Sequence, residues 1–242
     1  MTANAAPMTV VVDPGHGGVD HGAVHAETHE ADITLAVSRK LFALLNKDKR
    51  FRTYLTRDTD RSISLNERAK LAKTKNADLF VSIHVNSNPD KKAHGAEFYF
   101  QNQLPPDEES MLLAHQENSE DGSTGPIPYD FLEKSSYTSE VSSIVGDLLD
   151  TDRVMRSSQL SKSLKLQWRG SKKSKNNSVR QAPFYVLSRI TTPSTLVELG
   201  FLTNASDLSE LTNSQAQNRM AEDLYRGLLA YKDSMDKSLQ AP

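Results

Sequence analysis

Two histidines and one glutamate each stand near the end of a short apolar segment. His16 lies in the glycine-rich stretch Asp-Pro-Gly-His-Gly-Gly at 13–18, which follows a β-branched run. His84 ends the apolar run Leu-Phe-Val-Ser-Ile, and Glu198 lies within Leu-Val-Glu-Leu. Such runs predict buried strands, and open α/β sheets bind ligands at the carboxyl ends of their strands. We therefore expect these three side chains to meet at one edge of a sheet.

A fourth polar residue, Glu30, stands just ahead of an amphipathic stretch that predicts a helix over 31–47. Two histidines and one carboxylate form a catalytic zinc set that leaves a fourth position open for water. The chain has seven histidines and no cysteine, so histidines and carboxylates must hold any metal. Glu198 adds a second carboxylate, and burying its charge in an apolar strand is costly without a partner or a metal.

Strands and helices alternate along most of the chain. The predicted strands cover residues 9–13, 51–57, 78–85, 97–101, 184–187 and 194–199. The predicted helices cover residues 31–47, 64–75, 152–166 and 214–235. Ser64 and Glu67 form a capping box at the start of the second of these helices. The alternation predicts an α/β fold, with a single domain, a twisted and mostly parallel sheet, and helices on both faces.

The alternation is interrupted between residues 103 and 150. Residues 103–129 are polar, whereas 136–150 carry apolar side chains at helical spacing. We interpret 103–150 as a regulatory insertion with one helix, and 169–180 as an exposed basic loop. Residues 1–8 show neither the basic nor the apolar region of a signal peptide. We expect them to be a linker or an expression remnant ahead of a domain at 9–242.

The composition narrows the classes of partner. The chain has 242 residues and a net charge of −2, which fits one α/β domain with one sizeable insertion. No apolar run is long enough to span a membrane, and there is no basic excess of the kind that nucleic-acid-binding proteins carry. We expect a monomer. The absence of cysteine suits an oxidising compartment such as the periplasm.

Six segments resemble, in the same order, the zinc-dependent N-acetylmuramoyl-L-alanine amidases that remodel bacterial cell walls. They are 11–18 (VVDPGHGG), 30–35 (EADITL), 56–58 (TRD), 65–68 (LNER), 77–86 (ADLFVSIHVN) and 196–204 (LVELGFLTN). These segments lie on both sides of the insertion. The departures are His21, where the family often has proline, and an unusual loop at 24–29.

The resemblance implies that His16, Glu30 and His84 bind zinc and that Glu198 is the catalytic carboxylate. Glu27 is a rival for Glu30, but only Glu30 keeps the family's spacing to the following Asp-Ile-x-Leu. The implied reaction is hydrolysis of the amide between the lactyl group of N-acetylmuramic acid and L-alanine of the peptidoglycan stem peptide. Glu198 would act as general base and pass the proton to the leaving amine.

The insertion is similar to that of family members used in cell division, where it occludes the site until an activator protein displaces it. The predicted helix at about 134–150 bears an acidic stripe of Glu133, Glu140 and Asp147. We expect Glu140, at the centre of this helix, to fill the open zinc position as an autoinhibitory ligand. In the alternative, the helix is peripheral and its acids lie in water. Its apolar stripe could equally be the surface that an activator binds.

Three functions therefore compete. The first is a periplasmic zinc amidase of peptidoglycan, which splits the septal wall. The second is a zinc carboxypeptidase or endopeptidase that cuts within the stem peptide. The third is a wall-binding module without catalysis. Proteins that lose catalysis usually lose their metal-binding and catalytic residues first. The third function is therefore disfavoured by the presence of His16, Glu30, His84 and Glu198.

Overall fold

The computed structural model describes residues 6–102, 105–119, 139–169 and 177–240, and of 139–147 and 239–240 it describes the backbone alone. The strands are β1 (Met8–Pro14), β2 (Val24–His25), β3 (Thr28–His29), β4 (Phe51–Leu55), β5 (Leu79–Asn86), β6 (Glu97–Phe100), β7 (Ser178–Gln181) and β8 (Ser194–Phe201). The helices are α1 (Glu30–Lys47), α2 (Leu65–Thr74), α3 (Glu108–Ser119), α4 (Ser139–Gln167), α5 (Tyr185–Ser188), α6 (Ala205–Leu211) and α7 (Ser214–Gln240).

The central sheet has six strands in the order β4-β1-β5-β8-β6-β7. The four strands β4, β1, β5 and β8 run parallel, whereas β6 is antiparallel to β8 and β7 is parallel to β6. The predicted α/β class and mostly parallel sheet are confirmed. Since β1, β5 and β8 share one direction, their carboxyl ends meet at one edge of the sheet.

Helices cover both faces of this sheet, and side chains alternate between two apolar clusters. Val10 and Val12 of β1 face the larger cluster, which α1, α4 and α7 complete. Val11 of the same strand faces the smaller cluster, together with Phe80 of β5 and Leu196 of β8, under α2, α3 and α5. The central strands are buried along nearly their whole length, as in parallel sheets covered on both sides. The face of the smaller cluster also carries the polar side chains at the carboxyl ends of these strands.

Two local predictions were wrong. Residues 185–187 lie in the short helix α5 and Phe184 is its N-cap, so this segment is not a strand. A four-residue apolar run is compatible with either element, and periodicity cannot separate them. The end of the predicted basic loop belongs to β7, an edge strand of the sheet. Residues 170–176 of that loop lie outside the described residues.

The insertion contains a helix that the sequence did not predict. Helix α3 spans Glu108–Ser119, and its buried residues are Ser110, Leu113 and Ala114; two small side chains and one leucine give little apolar periodicity. Helix α4 runs without a break through the two helices predicted at 136–150 and 152–166. The side chains of Glu133, Glu140 and Asp147 lie outside the described residues. Within the described ranges, we find no helix with the length and apolar character of a membrane span.

A buried polar network lies beneath the loop that follows β1. The Asp13 carboxylate is almost fully buried and accepts hydrogen bonds from Thr56 Oγ1 (2.5 Å), Arg68 Nη1 (2.7 Å) and Ser82 Oγ (2.8 Å). Burial alone would raise the pKa of Asp13, but the Arg68 guanidinium and these hydrogen bonds outweigh it and hold the pKa below its usual value. The network ties together β1, β5, α2 and the residue after β4.

Replacing Asp13 should therefore destabilise the fold. We expect Asp13→Asn to lower the free energy of unfolding at pH 7 by about 3–5 kcal/mol, because the buried Arg68 charge loses its partner. The folded-state pKa of Asp13 is depressed, so its contribution is complete above the unfolded pKa of about 3.9 and fades as the pH falls through the folded value. Urea titrations from pH 8 to pH 3 should show a constant difference that shrinks below about pH 4.

The exposed aspartate of α7, Asp233, offers a matched control, and Asp233→Asn should change the stability by less than about 0.5 kcal/mol. If Asp13→Asn and the unsubstituted chain are equally stable at pH 7, the network does not contribute to the free energy of unfolding as we expect.

Candidate metal centre

The loop after β1 presents His16 in a left-handed backbone conformation, with φ of 56°. Two buried arginines hold this loop through its carbonyl oxygens. Arg57 donates to Pro14 O (3.0 Å) and Gly15 O (2.7 Å), while Arg68 donates to Pro14 O (2.6 Å) and His16 O (2.9 Å). Burial beside Arg68 lowers the pKa of Arg57 to about 10, so the Arg57 guanidinium stays charged at neutral pH. The backbone around His16 is thereby fixed.

Two glycines allow the site residues to come close together. A Cβ atom at Gly15 would lie 2.6–2.8 Å from three atoms of the His84 ring. A Cβ atom at Gly22 would lie 2.6 Å from both Glu30 Oε2 and His16 Cδ2, and Gly22 has a φ of +62°. Any larger residue at either position would displace a ring or a carboxylate of the site.

Three of the predicted ligands converge in the structure. His16 Nε2 lies 3.0 Å from Glu30 Oε1 and 3.2 Å from His84 Nδ1, and the latter two atoms are 3.1 Å apart. All three residues are buried. Glu27, the sequence-level rival of Glu30, is exposed. The parallel strands and the start of α1 thus bring together the two histidines and Glu30, as the sequence predicts.

Contacts behind these side chains orient them. The Nδ1 atom of His16 lies 2.9 Å from Asp20 Oδ2, which leaves Nε2 to face the cluster. Glu30 accepts backbone hydrogen bonds from Ala23 N (2.9 Å) and Val85 N (2.8 Å). Burial would raise the pKa of Glu30, but His16 and His84 outweigh it and lower the pKa well below its usual value. Such outer contacts are typical of metal ligands.

Helix α3 adds a carboxylate that the sequence did not predict. Glu117 Oε2 lies 3.1 Å from His84 Nδ1 and 3.5 Å from His16 Nε2. Burial would lower the pKa of His84, but Glu117 and Glu30 outweigh it and raise the pKa well above its usual value. The available sequence signal is the spacing of Ser110, Leu113, Ala114 and Glu117, which continues the buried stripe of α3 by one turn.

Glu198 lies beside this cluster. In the sheet it pairs with His84 of β5 on one side and with Glu97 of β6 on the other. It is fully buried, and neither carboxylate oxygen has a hydrogen-bond partner among the described residues. Burial, together with the nearby carboxylates of Glu117, Glu30 and Glu97, raises the pKa of Glu198 well above its usual value. A carboxyl with a raised pKa binds a proton more strongly than an ordinary glutamate does.

The donor set fits a zinc ion. The four ligand atoms of His16, Glu30, His84 and Glu117 lie within 4.8 Å of one another. Zinc bonds of about 2.0–2.1 Å in a tetrahedron place neighbouring ligand atoms about 3.3 Å apart, and the histidine nitrogens here lie 3.0–3.5 Å from each other and from the two carboxylates. Nitrogen and carboxylate oxygen donors are also those that zinc takes in proteins without cysteine ligands.

The sequence profile of the family described as N-acetylmuramoyl-L-alanine amidase matches residues 10–230. The chain belongs to this family. The resemblance read from the six sequence segments is thereby confirmed, since the matched range includes all four site residues named in the sequence and spans the insertion.

Individual amidases show the same likeness. The chain is 31% identical over 229 residues to AmiC of Escherichia coli O6:H1, covering 93% of this chain and 53% of AmiC. It is 30% identical over 224 residues to AmiA of E. coli K12, covering 92% of this chain and 75% of AmiA. Among solved structures, AmiC2 of Nostoc punctiforme superposes with a TM-score of 0.67 at 28% identity, covering 93% and 97% of the two chains. The chain thus spans about half the length of AmiC.

The close approach at Gly15 leads to a prediction for metal binding. We expect Gly15→Ala to weaken zinc affinity about 10- to 100-fold, because the added methyl displaces the His84 ring from the cluster, as loss of an outer contact does at other metal sites. Competition with a chromophoric chelator measures the affinity. A circular-dichroism spectrum like that of the unsubstituted chain would show that the fold is retained. Unchanged affinity would mean that the His84 ring can shift without cost to the site.

Proposed function

We propose that this chain is a zinc-dependent amidase that hydrolyses the bond between the lactyl group of N-acetylmuramic acid and L-alanine of the stem peptide. The observation that carries the proposal is the convergence of His16, Glu30 and His84 within 3.0–3.2 Å, beside the unpartnered buried carboxyl of Glu198. Membership of the amidase family supports this choice of bond over the peptide bonds that a carboxypeptidase or endopeptidase cuts.

In this proposal His16, Glu30 and His84 hold the zinc ion. When bound, zinc supplies a Lewis acid that activates water and polarises the scissile carbonyl. Glu198 takes the proton of the attacking water and delivers it to the nitrogen of L-alanine as the amide bond breaks. Its position supports both steps, because burial raises the pKa of the Glu198 carboxyl and no hydrogen-bond donor among the described residues occupies its oxygens.

A cavity next to the cluster offers room for the substrate. It has a volume of about 290 Å³ and opens beside His16 and His84. Apolar side chains form much of its wall, among them Leu65 of α2 and Phe184 before α5, while Asp20 and Glu67 add polar groups. Largely apolar walls with a few polar groups are typical of ligand pockets. We infer that a part of the muramyl peptide binds here.

The general base can be separated from the metal site by substitution. We expect Glu198→Gln to keep one zinc ion per chain but to lose about 10²- to 10⁴-fold in hydrolysis, since the amide cannot accept the proton of water. Elemental analysis gives the metal content, and chromatography of a peptidoglycan digest gives the products. An amidase releases intact stem peptides, whereas a peptidase releases fragments of them.

The exposed glutamate Glu222 of α7 provides the control, and Glu222→Gln should retain both zinc and activity. Full activity of Glu198→Gln would rule out its role as general base. Fragments of stem peptides in place of intact ones would support the peptidase alternative, and zinc binding without any product would support the wall-binding alternative.

We propose that the insertion at 103–150 inhibits the enzyme, with Glu117 in the fourth ligand position. Its contacts of 3.1 Å and 3.5 Å to the histidine nitrogens support this. The Asn118 side chain fastens the end of α3 to the backbone before α5: it donates to Pro183 O (3.0 Å) and accepts from Tyr185 N (2.6 Å). An activator protein would have to displace α3. The prediction for Glu140 stays open, since its side chain lies outside the described residues.

Two substitutions distinguish the candidate inhibitory carboxylates. We expect Glu117→Ala to raise the basal rate of hydrolysis, because it empties the fourth ligand position. If one tenth of the unsubstituted molecules are open, the rise is about tenfold, the inverse of that fraction. Release of stem peptides from purified peptidoglycan measures the rate. Glu108→Ala, at an exposed position of the same helix, should leave the rate unchanged. A rise in Glu140→Ala but not in Glu117→Ala would assign the inhibitory role to Glu140.

We propose further that the enzyme acts in the periplasm during septal wall splitting. Peptidoglycan lies outside the cytoplasmic membrane, and a chain without cysteine suits an oxidising compartment. An inhibited resting state also suits an enzyme that cuts the wall only where and when a cell divides. A fluorescent fusion in dividing cells would test the location, and uniform cytoplasmic signal would contradict it.

A further inference from the structure

Arg180 extends the polar row of the site to the edge of the sheet. In the sheet register Glu198 pairs with Glu97, and Glu97 pairs with Ser178 of β7, two residues before Arg180. Side chains two residues apart in a strand share a face. Arg180 therefore lies on the same face as Glu198, two strands away, which corresponds to about 10 Å.

A buried carboxylate fixes the direction of this arginine. Arg180 Nε lies 3.0 Å from Glu97 Oε1. Glu97 is 5% exposed and also accepts hydrogen bonds from Tyr99 Oη (2.9 Å) and Asn86 Nδ2 (3.2 Å). The Arg180 side chain itself is 27% exposed, so its guanidinium is anchored on one side and reaches solvent on the other. A planar guanidinium held in this way is suited to binding a carboxylate.

The insertion places acids on the exposed side of Arg180. Its Nη1 atom lies 2.7 Å from Glu109 Oε2 and 3.4 Å from Asp107 Oδ1. Glu109 and Glu117 are eight residues apart on α3, and the helical rise of 1.5 Å per residue separates them by about 12 Å along the axis. Helix α3 therefore places one carboxylate at the metal cluster and another at Arg180.

The same spacing fits a peptide substrate. An extended chain spans about 3.3–3.6 Å per residue, so about 12 Å corresponds to three or four residues. On the sugar side of the scissile bond, N-acetylated sugars carry no charge, and the lactyl carboxyl is itself part of the amide. On the peptide side, the stem peptide carries carboxylates. A cation at this distance is therefore complementary to the peptide.

We propose that Arg180 is a specificity-determining residue that binds a free carboxylate of the stem peptide, three or four residues beyond the scissile amide, and that α3 occupies both ends of this substrate path in the resting enzyme. The inference rests on the proposed amidase function. It assigns Asp107 and Glu109 the role of substrate mimics, and Glu97 the role of positioning Arg180.

The test compares two muramyl peptides, one with free carboxylates beyond L-alanine and one with these carboxylates amidated. We expect kcat/KM to be at least about tenfold higher for the free acid, the effect of one charged hydrogen bond. Arg180→Gln should abolish this preference through KM, and Arg180→Lys should keep part of it. Asp107→Asn with Glu109→Gln should lower KM for the free acid more than KM for the amidated peptide, because only the free acid gains the vacated Arg180.

Arg156→Gln serves as control, because Arg156 is an exposed arginine of α4 that pairs with Asp152 and should leave the preference intact. The two substrates are first compared with the unsubstituted chain, so this result does not depend on whether Arg180→Gln folds. Equal kcat/KM for both peptides, or a preference that survives in a folded Arg180→Gln, would overturn the proposal.

Failure of the proposed function has a different signature, namely that neither peptide is cleaved. Calorimetric titration of the Asp107→Asn, Glu109→Gln variant with the free stem peptide and with its amide would then test the site alone. Tighter binding of the free acid, lost when Arg180→Gln is added, supports the carboxylate site. Equal binding of the two peptides overturns it.

Discussion

The loop that carries His16 can be buried only because two arginine side chains saturate its carbonyl oxygens. Buried carbonyl groups need hydrogen-bond partners, and a loop has no neighbouring strand to provide them. Arg57 and Arg68 take that role for three consecutive carbonyls, while Asp13 offsets the buried positive charge. The position of His16, the ring packing at Gly15 and the whole metal cluster depend on this arrangement.

Electrostatics supports the proposed cation at this cluster. Glu30, Glu117, Glu198 and Glu97 surround two histidines in a region with little solvent, and the other three carboxylates add to the burial that raises the pKa of Glu198. Arg180 offsets Glu97 at one end of the row. At the other end, the described residues offer only histidines to offset Glu30 and Glu117. The zinc ion that we propose would supply the missing charge.

The sequence predicted the parts of the site that local patterns encode. The sequence predicts that three side chains meet at one edge of the sheet, namely His16, His84 and Glu198. Each of them follows or ends an apolar run, and parallel strands bring such ends together. Glu117 and Arg180 could not be placed in this way, since Glu117 lies on a helix of weak amphipathicity and Arg180 in a stretch whose basic composition is typical of a loop. Their positions depend on contacts between distant segments. The strand predicted at 184–187 was wrong because a short apolar run fits a buried helix equally well.

The contacts of α3 are suited to reversible inhibition. Its buried residues are two small side chains and one leucine, and burying a leucine contributes only about 1.5–3 kcal/mol. Its ion pairs to Arg180 involve partly exposed groups, which contribute about 0–1 kcal/mol each. The strongest anchor is Glu117 itself, whose partners are the atoms that the reaction needs. The inhibition that we propose would therefore fix α3 at a specific position with little energy, so that a partner protein or a substrate with matching carboxylates could compete with α3 for the same donors.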